Sequence, residues 1–391
     1  MNSDLLAQRI AGVPASFIRE ILKVTEQPGI ISFAGGLPNQ ALFPLEAIRR
    51  ASDAVLTDDG YAALQYSTTE GHTGLREWIA ARYRQRFGLD IPVEQILITN
   101  GSQQALDLLG KVLLNPGDPV LLEAPGYLGA IQAFTLYEPR FVPITLRDDG
   151  PDQGELKTAL SQHTPKLFYT VPNFQNPSGI SYSEASRHAV AELLCGTKTL
   201  LIEDDPYGEL RYRGSEATSF KQLLPEQTIL LGSFSKTVLP SFRLGWIVAP
   251  PWLMEKLVIA KQSADLHSSG FTQRVLHRYL CDNNYDAHLQ TLIESYGTQQ
   301  RTMLDAIRRH FPATVKHTEP EGGMFIWATL PEEVSSMALL EKALQQRVAF
   351  VPGHPFYIDK QDSNTLRLNY TNASMEMIEH GIATLGEVMR A

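Results

Sequence analysis

The chain has 391 residues, enough for two or three domains at roughly 150 residues each, or for one large α/β unit. Hydrophobic residues make up 43% and charged residues 20%, which is ordinary for a globular enzyme with a sizeable core. The net charge is −9 and no run is rich in lysine or arginine, so we expect neither nucleic acid nor an anionic membrane as a partner.

The first 45 residues differ in texture from the rest of the chain. Ser16 is placed to cap a short helix, in which Ile18, Ile21 and Leu22 are spaced as on one helical face. Residues 30–38 then form an extended stretch punctuated by glycine and proline, typical of a loop. We expect residues 1–45 to pack with a small C-terminal domain and to cover a site.

From about residue 46, short apolar strands alternate with helical patterns. The predicted strands are Ile96–Thr99, Pro119–Glu123, Arg140–Leu146, Lys166–Pro172, Thr199–Asp204, Thr228–Ser233 and Arg243–Ala249. Helical patterns such as Gln103–Leu114 and Ser183–Leu194 lie between them. This alternation predicts βαβ units and a mostly parallel sheet covered on both faces. The fold class is therefore α/β, with a three-layer sandwich over residues 46–275.

After about residue 275 the pattern becomes α+β. The predicted helices are Ala287–His310, Met337–Gln346 and Met375–Met389, and the predicted strands are Gly323–Leu330, Val348–Val351 and Thr365–Tyr370. Residues 276–391 are thus predicted to form a smaller domain.

Several familiar functional signatures are missing from the sequence. There is no HExxH, paired CxxC or P-loop, and no GxGxxG follows a strand. Cys195 and Cys281 cannot build a disulfide framework, and we expect both to be small buried hydrophobes. No apolar run approaches the ~18 residues of a membrane span, and the first residues lack a signal-peptide core. We expect a cytoplasmic enzyme.

Polar residues cluster where predicted strands end, which is where open α/β sheets bind ligands. Gly101, Ser102 and Gln103 open a helix, whose free N–H groups favour an anion. Other strands end at the Asn-Pro turn of residues 173–179 and at the acidic segment of residues 202–207. Taken singly, the helix start is usually just a cap, the Asn-Pro segment can be an ordinary turn, and the acidic segment can be a solvated loop.

Two basic residues are less ordinary. Lys236 follows a buried strand among small hydroxyl residues, with Arg243 close behind it. Arg367 alternates with leucines inside a strand, where a guanidinium needs an anionic partner. A lysine, an acid, an Asn–Tyr pair, an anion cradle and an arginine ready for a carboxylate together suit pyridoxal phosphate chemistry.

The chain resembles the fold-type I pyridoxal-phosphate aminotransferases, in the branch of the 2-aminoadipate and kynurenine aminotransferases. The resemblance extends from Ile18 to Leu385 and is carried by segments such as TNGSQQALDLLGKVLLNPGD, PNFQNPSG, EDDPYGEL and GSFSKTVLPSFRLGW. It implies pyridoxal 5′-phosphate as the cofactor. It also implies ping-pong transfer of an amino group from an L-amino acid (2-aminoadipate, glutamate, aromatic or branched aliphatic) to 2-oxoglutarate.

The resemblance also implies roles for single residues around the cofactor ring. Lys236 matches the lysine that forms the Schiff base and moves the proton, so burial and nearby cations should lower its pKa. Asp204 matches the acid on the ring nitrogen, and Asn176 and Tyr207 match the pair at the ring 3′-oxygen. Tyr127 matches the aromatic residue stacked on the ring, the alternative being a half-buried core tyrosine.

Further matches concern the phosphate and the substrate. The phosphate residues implied are Gly101, Ser102, Gln103, Ser233, Ser235 and Arg243. Tyr66 matches a tyrosine supplied by the neighbouring subunit, which implies a homodimer with shared active sites. The substrate residues implied are Arg367 for the α-carboxylate, Asn176, Ser16, Arg19, Gly36 and Leu37. Arg19 either pairs with a distal substrate carboxylate or is a solvated helix residue.

Two other functions stay open. Another pyridoxal enzyme of the same fold, such as a β-lyase, racemase or decarboxylase, would carry the same cofactor residues. This fold also serves as the non-catalytic effector-binding domain of transcription regulators. We expect that function to be the less favoured one, because the residues before Gly35 leave no room for a DNA-binding domain and the net charge has the wrong sign.

Overall fold

The structure is a computed structural model that describes residues 5–11, 13, 21, 29–358 and 360–390. Of the predicted N-terminal helix, Ile21 is helical and buried, whereas Ser16, Ile18 and Leu22 lie outside the described residues. Within the described ranges, no helix combines the length and the apolar character needed to cross a membrane.

Helices and short strands alternate along most of the chain. The strands are β1 (Ile31–Ser32), β2 (Ile96–Thr99), β3 (Pro119–Ala124), β4 (Arg140–Arg147), β5 (Gly150–Pro151), β6 (Leu167–Thr170), β7 (Leu200–Asp204), β8 (Thr228–Ser233), β9 (Gly245–Val248), β10 (Lys316–His317), β11 (Phe325–Thr329), β12 (Val348–Ala349), β13 (Val351–Pro352) and β14 (Thr365–Asn369). The helices are α1 (Gln8–Ala11), α2 (Leu45–Ala63), α3 (Thr73–Phe87), α4 (Ser102–Leu113), α5 (Leu128–Thr135), α6 (Gln153–His163), α7 (Glu184–Leu194), α8 (Phe220–Leu223), α9 (Pro251–Asp265), α10 (Gly270–Asp282), α11 (Tyr285–His310), α12 (Ser336–Gln345) and α13 (Met375–Arg390).

The large sheet has eight strands in the order β2-β9-β8-β7-β6-β3-β4-β5. Strands β8, β7, β6, β3 and β4 pair in parallel, which confirms the predicted mostly parallel α/β sheet. Strand β9 pairs antiparallel with both neighbours, and the edge strand β5 is also reversed. The reversal of β9 has a simple cause, because residues 234–244 are too few for the helical crossover that a parallel return needs.

The reversal of β9 brings its start to the edge where other strands end. Ser233, the last residue of β8, is paired with Gly245, the first residue of β9, and Thr99 at the end of β2 is also paired with Gly245. Arg243 therefore reaches the carboxyl edge of the sheet although it precedes a strand. The ends of β2 and β8 and the start of β9 therefore meet at this edge.

A second sheet contains β10-β11-β14-β13, and all its pairs are antiparallel. The predicted strand Val348–Val351 is in fact two short ones, because β12 pairs with β1 and β13 pairs with β14. The predicted division at residues 45 and 275 stays a prediction. The expectation that both cysteines are buried is wrong, because Cys195 and Cys281 are both exposed. Cys195 directly follows α7, and Cys281 lies in the last turn of α10.

The segment before α2 is tied to the C-terminal part of the chain. Phe33 is fully buried, its N–H donates to Ala349 O (2.8 Å), and its carbonyl accepts from Asn369 N (2.8 Å). Its ring lies against α13 at Gly381, where an added Cβ would be 2.7 Å from Phe33 Cε2. Glycine at this position therefore allows the segment to pack closely on the helix.

We predict that Gly381→Ala destabilises the protein by about 1–3 kcal/mol, because the new methyl group overpacks against a buried ring that cannot move away. The matched control is Gly297→Ala inside α11, where an added Cβ would make only ordinary contacts at 3.4 Å or more. There alanine should stabilise by up to ~1 kcal/mol through helix propensity alone. Urea unfolding midpoints measure both effects, and equal shifts for the two variants would contradict the packing explanation.

Candidate active site

A cavity of about 430 Å³ opens at the carboxyl edge of the large sheet. Twelve of the residues singled out from the sequence line it: Gly36, Ser102, Gln103, Tyr127, Asn176, Asp204, Tyr207, Ser233, Ser235, Lys236, Arg243 and Arg367. Two clefts of about 630 and 660 Å³ lie elsewhere, but none of the candidate residues lines them. The chemistry therefore points to the smaller cavity.

Lys236 lies three residues after the end of β8 and extends into this cavity. Its Nζ donates to the Gly36 carbonyl (2.7 Å), so the amine contacts the N-terminal segment. Burial, followed by the charges of Arg367 and Arg243, lowers the pKa of Lys236 to about 8. This is the direction expected from the sequence, and it makes a neutral amine accessible near physiological pH.

Asp204 ends β7 and is almost fully buried. Its Oδ2 accepts from the Tyr169 hydroxyl (2.7 Å), while Oδ1 has no hydrogen-bond partner in the described part of the chain. Burial raises the pKa of Asp204 to about 7, and nearby Asp205 and Glu123 add to the rise. Because a buried acid is costly to ionise without a partner, Asp204 is well placed to receive a cationic N–H group.

Asp205, the neighbouring acid, is engaged elsewhere. Its Oδ1 accepts from Asn173 Nδ2 (2.9 Å), and Arg86 lies 3.6 Å from its other oxygen. Its carboxylate does not line the cavity. Of the two consecutive acids, only Asp204 lines the cavity that contains Lys236.

Arg367 lies in β14 and is 4% exposed. Its Nη1 donates to Asn176 Oδ1 (2.8 Å) and its Nη2 to the Ala34 carbonyl (2.6 Å). The guanidinium also stacks on the rings of Phe325 and Phe356, 4.4 and 5.2 Å from their centroids. Among the described residues these partners are all neutral, and burial lowers the pKa of Arg367 to about 10. Within the described ranges, the anionic partner expected from the sequence is absent, which leaves the guanidinium available to an anionic ligand.

Two tyrosines, Tyr127 and Tyr207, line the cavity. Burial raises the pKa of Tyr127 to about 12 and raises that of Tyr207 further, so both phenols are neutral donors at physiological pH. Tyr207 interacts with the Asn176 side chain. Tyr127 lies against Gly129, where an added Cβ would be 2.5 Å from its Cζ, so glycine leaves room for the ring.

The start of α4 forms an anion cradle. Gly101 precedes the helix with φ +75°, and a Cβ there would lie 2.6 Å from Arg243 Nη2. Ser233 Oγ accepts from the Ser235 N–H (3.1 Å), which places both hydroxyls in the same loop. Gln103 Nε2 donates to the Gly129 carbonyl (2.8 Å). Helix N–H groups, hydroxyls and a guanidinium thus converge as a phosphate requires.

The remaining candidates are not brought into this cavity. Tyr66 is 79% exposed, and its ring lies edge-on to that of His267 (5.8 Å between centroids). Leu37 is 52% exposed, and its carbonyl accepts from Thr371 Oγ1 (3.0 Å). Ser16 and Arg19 lie outside the described residues.

Sequence reasoning missed several residues of the site. Tyr169, which donates to Asp204, lies inside a predicted strand. The sequence could have indicated its role only through the rule that a buried tyrosine hydroxyl needs a hydrogen-bond partner. Phe325 and Phe356, which sandwich Arg367, read as ordinary core residues. The Ala34 carbonyl carries no side-chain signal at all.

Comparisons with known proteins agree with this geometry. Residues 29–385 match the family described as aminotransferase class I and II. Aromatic-amino-acid aminotransferase 1 of Thermococcus litoralis is 43% identical over 390 residues, covering 98% of this chain and 94% of the relative.

Two solved structures are also similar. Kynurenine aminotransferase of Pyrococcus horikoshii, in complex with PMP, has a TM-score of 0.94 and 42% identity, covering 99% of this chain and 97% of that one. The α-aminoadipate aminotransferase of Thermus thermophilus, complexed with N-(5′-phosphopyridoxyl)-L-leucine, has a TM-score of 0.93 and 40% identity, covering 99% and 98%. The chain belongs to the class I and II aminotransferases and is a pyridoxal-phosphate-dependent transaminase of amino acids.

Proposed function

We propose that this chain transfers the amino group of an L-amino acid to 2-oxoglutarate by a ping-pong mechanism in the cavity around Lys236. The observation that carries the proposal is a half-buried amine of lowered pKa that shares one cavity with Arg367, Arg243 and the unpaired oxygen of Asp204. The proposed donors are 2-aminoadipate, glutamate and aromatic or branched aliphatic amino acids. Relatives named for aromatic amino acids and for α-aminoadipate support this range.

The residues present fit pyridoxal phosphate. Asp204 Oδ1 is a buried acceptor that lacks a donor within the described ranges, as a protonated ring nitrogen would require. The cradle at Gly101 and Arg243 leaves no room for a side chain at residue 101, yet it offers N–H donors to an anion. We propose that Gly101, Ser102, Gln103, Ser233, Ser235 and Arg243 hold the phosphate. When bound, this cofactor supplies an aldehyde that condenses with amines and a ring that withdraws electrons from the amino acid Cα.

Each residue around the cavity has a separate role in the proposed reaction. Lys236 Nζ is the base that takes the proton from Cα, because a pKa of about 8 leaves about a tenth of the amine neutral at pH 7. Arg367 binds the substrate α-carboxylate through two parallel N–H groups, which is a pairing that lysine cannot make. Asn176 and Tyr207 would donate hydrogen bonds to the ring oxygen of the cofactor, and Tyr127 would cover its ring.

The N-terminal segment completes the site. The carbonyls of Ala34 and Gly36 accept hydrogen bonds from Arg367 and Lys236, so residues 34–36 form part of the wall of the cavity. We propose that Gly36 and Leu37 contact the substrate, with Ser16 and Arg19 nearby. We also propose the division into residues 1–45, 46–275 and 276–391, and a cytoplasmic location.

We propose that the working unit is a homodimer with shared active sites. Tyr66 does not line the cavity of its own chain, and three large side chains at and just after the end of α2 are exposed: Tyr61 (98%), Leu64 (71%) and Tyr66 (79%). A second copy covering this surface would remove apolar area from water and bring Tyr66 to the partner's phosphate.

The reaction itself is tested with purified protein and the free amino acid. Glutamate, leucine, phenylalanine, kynurenine and 2-aminoadipate are each mixed with the enzyme, and the visible absorbance of the bound cofactor is followed. The proposal expects this absorbance to disappear with a donor and to return with 2-oxoglutarate. Release of pyruvate, ammonia or carbon dioxide instead would indicate a lyase or decarboxylase.

A pH dependence is expected from the lowered pKa of Lys236. Only the neutral amine attacks an aldehyde, so the rate constant for covalent attachment of pyridoxal phosphate to the cofactor-free chain should rise about tenfold per pH unit and level off above pH 8. Removing one neighbouring cation in Arg367→Met should move this plateau to higher pH. The control Arg211→Met, outside the cavity, should leave it in place. A rate constant that keeps rising about tenfold per pH unit up to about pH 10, with no plateau, would rule out the lowered pKa.

Arg19 gives a test of substrate choice. If its guanidinium pairs with a distal carboxylate, Arg19→Ala should lower kcat/KM for glutamate and 2-aminoadipate by about 10-fold or more, as for loss of a hydrogen bond to a charged group. Leucine and phenylalanine, which lack that carboxylate, should react as before. Stopped-flow half-reactions separate the two sets. An unchanged kcat/KM for glutamate would identify Arg19 as a solvated helix residue.

A further inference from the structure

A second buried lysine lies behind the anion cradle. Lys261, in α9 (Pro251–Asp265), has a fully buried side chain. Its Nζ donates to both Asp265 oxygens (2.9 and 3.0 Å), to Gln104 Oε1 (2.9 Å) and to Ser268 Oγ (3.1 Å). An ammonium group has three protons, and these three residues receive them. The charge is therefore paired, hydrogen-bonded and held in one position.

The same network holds both ends of the turn that opens α4. Gln104 Oε1 accepts a second hydrogen bond from the Asn100 N–H (2.8 Å). Asp265 Oδ2 also accepts from Asn100 Nδ2 (2.6 Å) and Gln104 Nε2 (2.7 Å). Asn100 and Gln104 flank residues 101–103, the cradle itself. Lys261 and Asp265 thus fix the cradle from behind without lining the cavity.

The backbone of the cradle needs such support. Gly101 has φ +75° and ψ 170°, and its Cα lies close against the Arg243 guanidinium. Gly245 also packs closely against this turn, because a Cβ at residue 245 would lie 2.9 Å from Ser102 N. Small shifts of this turn would change where the N–H groups at the start of α4 point.

The turn after α9 extends the network toward Tyr66. His267 Nε2 accepts from the Ser67 N–H (3.3 Å), and the His267 ring contacts the Tyr66 ring. Leu266, between Asp265 and His267, has a φ of +65°, a conformation that side chains with a Cβ rarely adopt. One buried ion pair therefore connects the cradle of this chain with the loop proposed to serve the partner's site.

We propose that Lys261 is a positioning residue for phosphate recognition, which aligns the turn of residues 101–103 through Gln104 and Asp265. The inference rests on the proposed function and goes beyond it, because Lys261 touches neither the cavity nor a ligand bound there. Its signature is specific: loss of Lys261 should weaken recognition of the phosphate and not of the aldehyde ring.

The test compares two probes, pyridoxal 5′-phosphate and pyridoxal, which differ only in the phosphate. Their Kd values are measured by absorbance on the full-length chain after removal of the cofactor. In Lys261→Met, the Kd ratio of pyridoxal to pyridoxal 5′-phosphate should fall about tenfold, which corresponds to about 1.4 kcal/mol. Gln104→Met removes the bridge without changing the charge, and the ratio should fall in the same direction.

Lys221 offers a matched control. It is also a buried lysine, but its Nζ donates to the backbone carbonyls of Pro225 and Thr228, away from the cavity. Lys221→Met should lower stability and leave the Kd ratio unchanged.

Several results would overturn the inference. An unchanged ratio in Lys261→Met would do so, as would an equal fall in Lys221→Met, which would indicate general loosening. A fall in Lys261→Met with none in Gln104→Met would assign the effect to the charge and not to positioning. If Lys261→Met does not fold, Gln104→Met decides alone. An unmodified chain that binds neither probe overturns the proposed function, and this inference with it.

Discussion

The site is organised by charges that the described residues do not neutralise. Lys236, Arg243 and Arg367 line one cavity, and each donates only to a backbone carbonyl or an amide oxygen of the described chain. Asp204 lines the same cavity and is buried with a neutral tyrosine as its partner. Arg367 is also buried, and a buried charge without an oppositely charged partner is costly, so a ligand with anionic groups and a cationic ring would stabilise both residues. The same crowding of cations, together with burial, lowers the pKa of Lys236.

The fold produces this arrangement by bringing together segments that are far apart in sequence. The reversed strand β9 places Arg243 beside Gly101, at the edge where β2, β7 and β8 end. The segment around Ala34 and Gly36 supplies carbonyls to both Arg367 and Lys236. The ion pair between Lys261 and Asp265 does not line the cavity, but it contacts residues on both sides of the cradle. The geometry of the cavity therefore depends on packing outside it.

The strand positions could be predicted from the sequence, and so could the meeting of unusual side chains at one edge of the sheet. Lys236 among serines after an apolar strand is such a case. Tyr169 and Phe356 were not predictable, because tyrosine in a strand and phenylalanine near a turn are ordinary, and their role appears only when other segments pack on them. The direction of β9 depends on loop length, which the strand pattern does not report. Exposed Cys195 and Cys281 show that residue type alone decides burial poorly.

The central claim is that one amine, Lys236 Nζ, is the point of covalent attachment for the cofactor. The most direct measurement is borohydride reduction of the purified protein, followed by peptide mapping of the phosphopyridoxyl label. The label is predicted on the peptide that contains residue 236, with none on the peptides of Lys261 or Lys221. A label on another lysine, or no label at all, would contradict the claim.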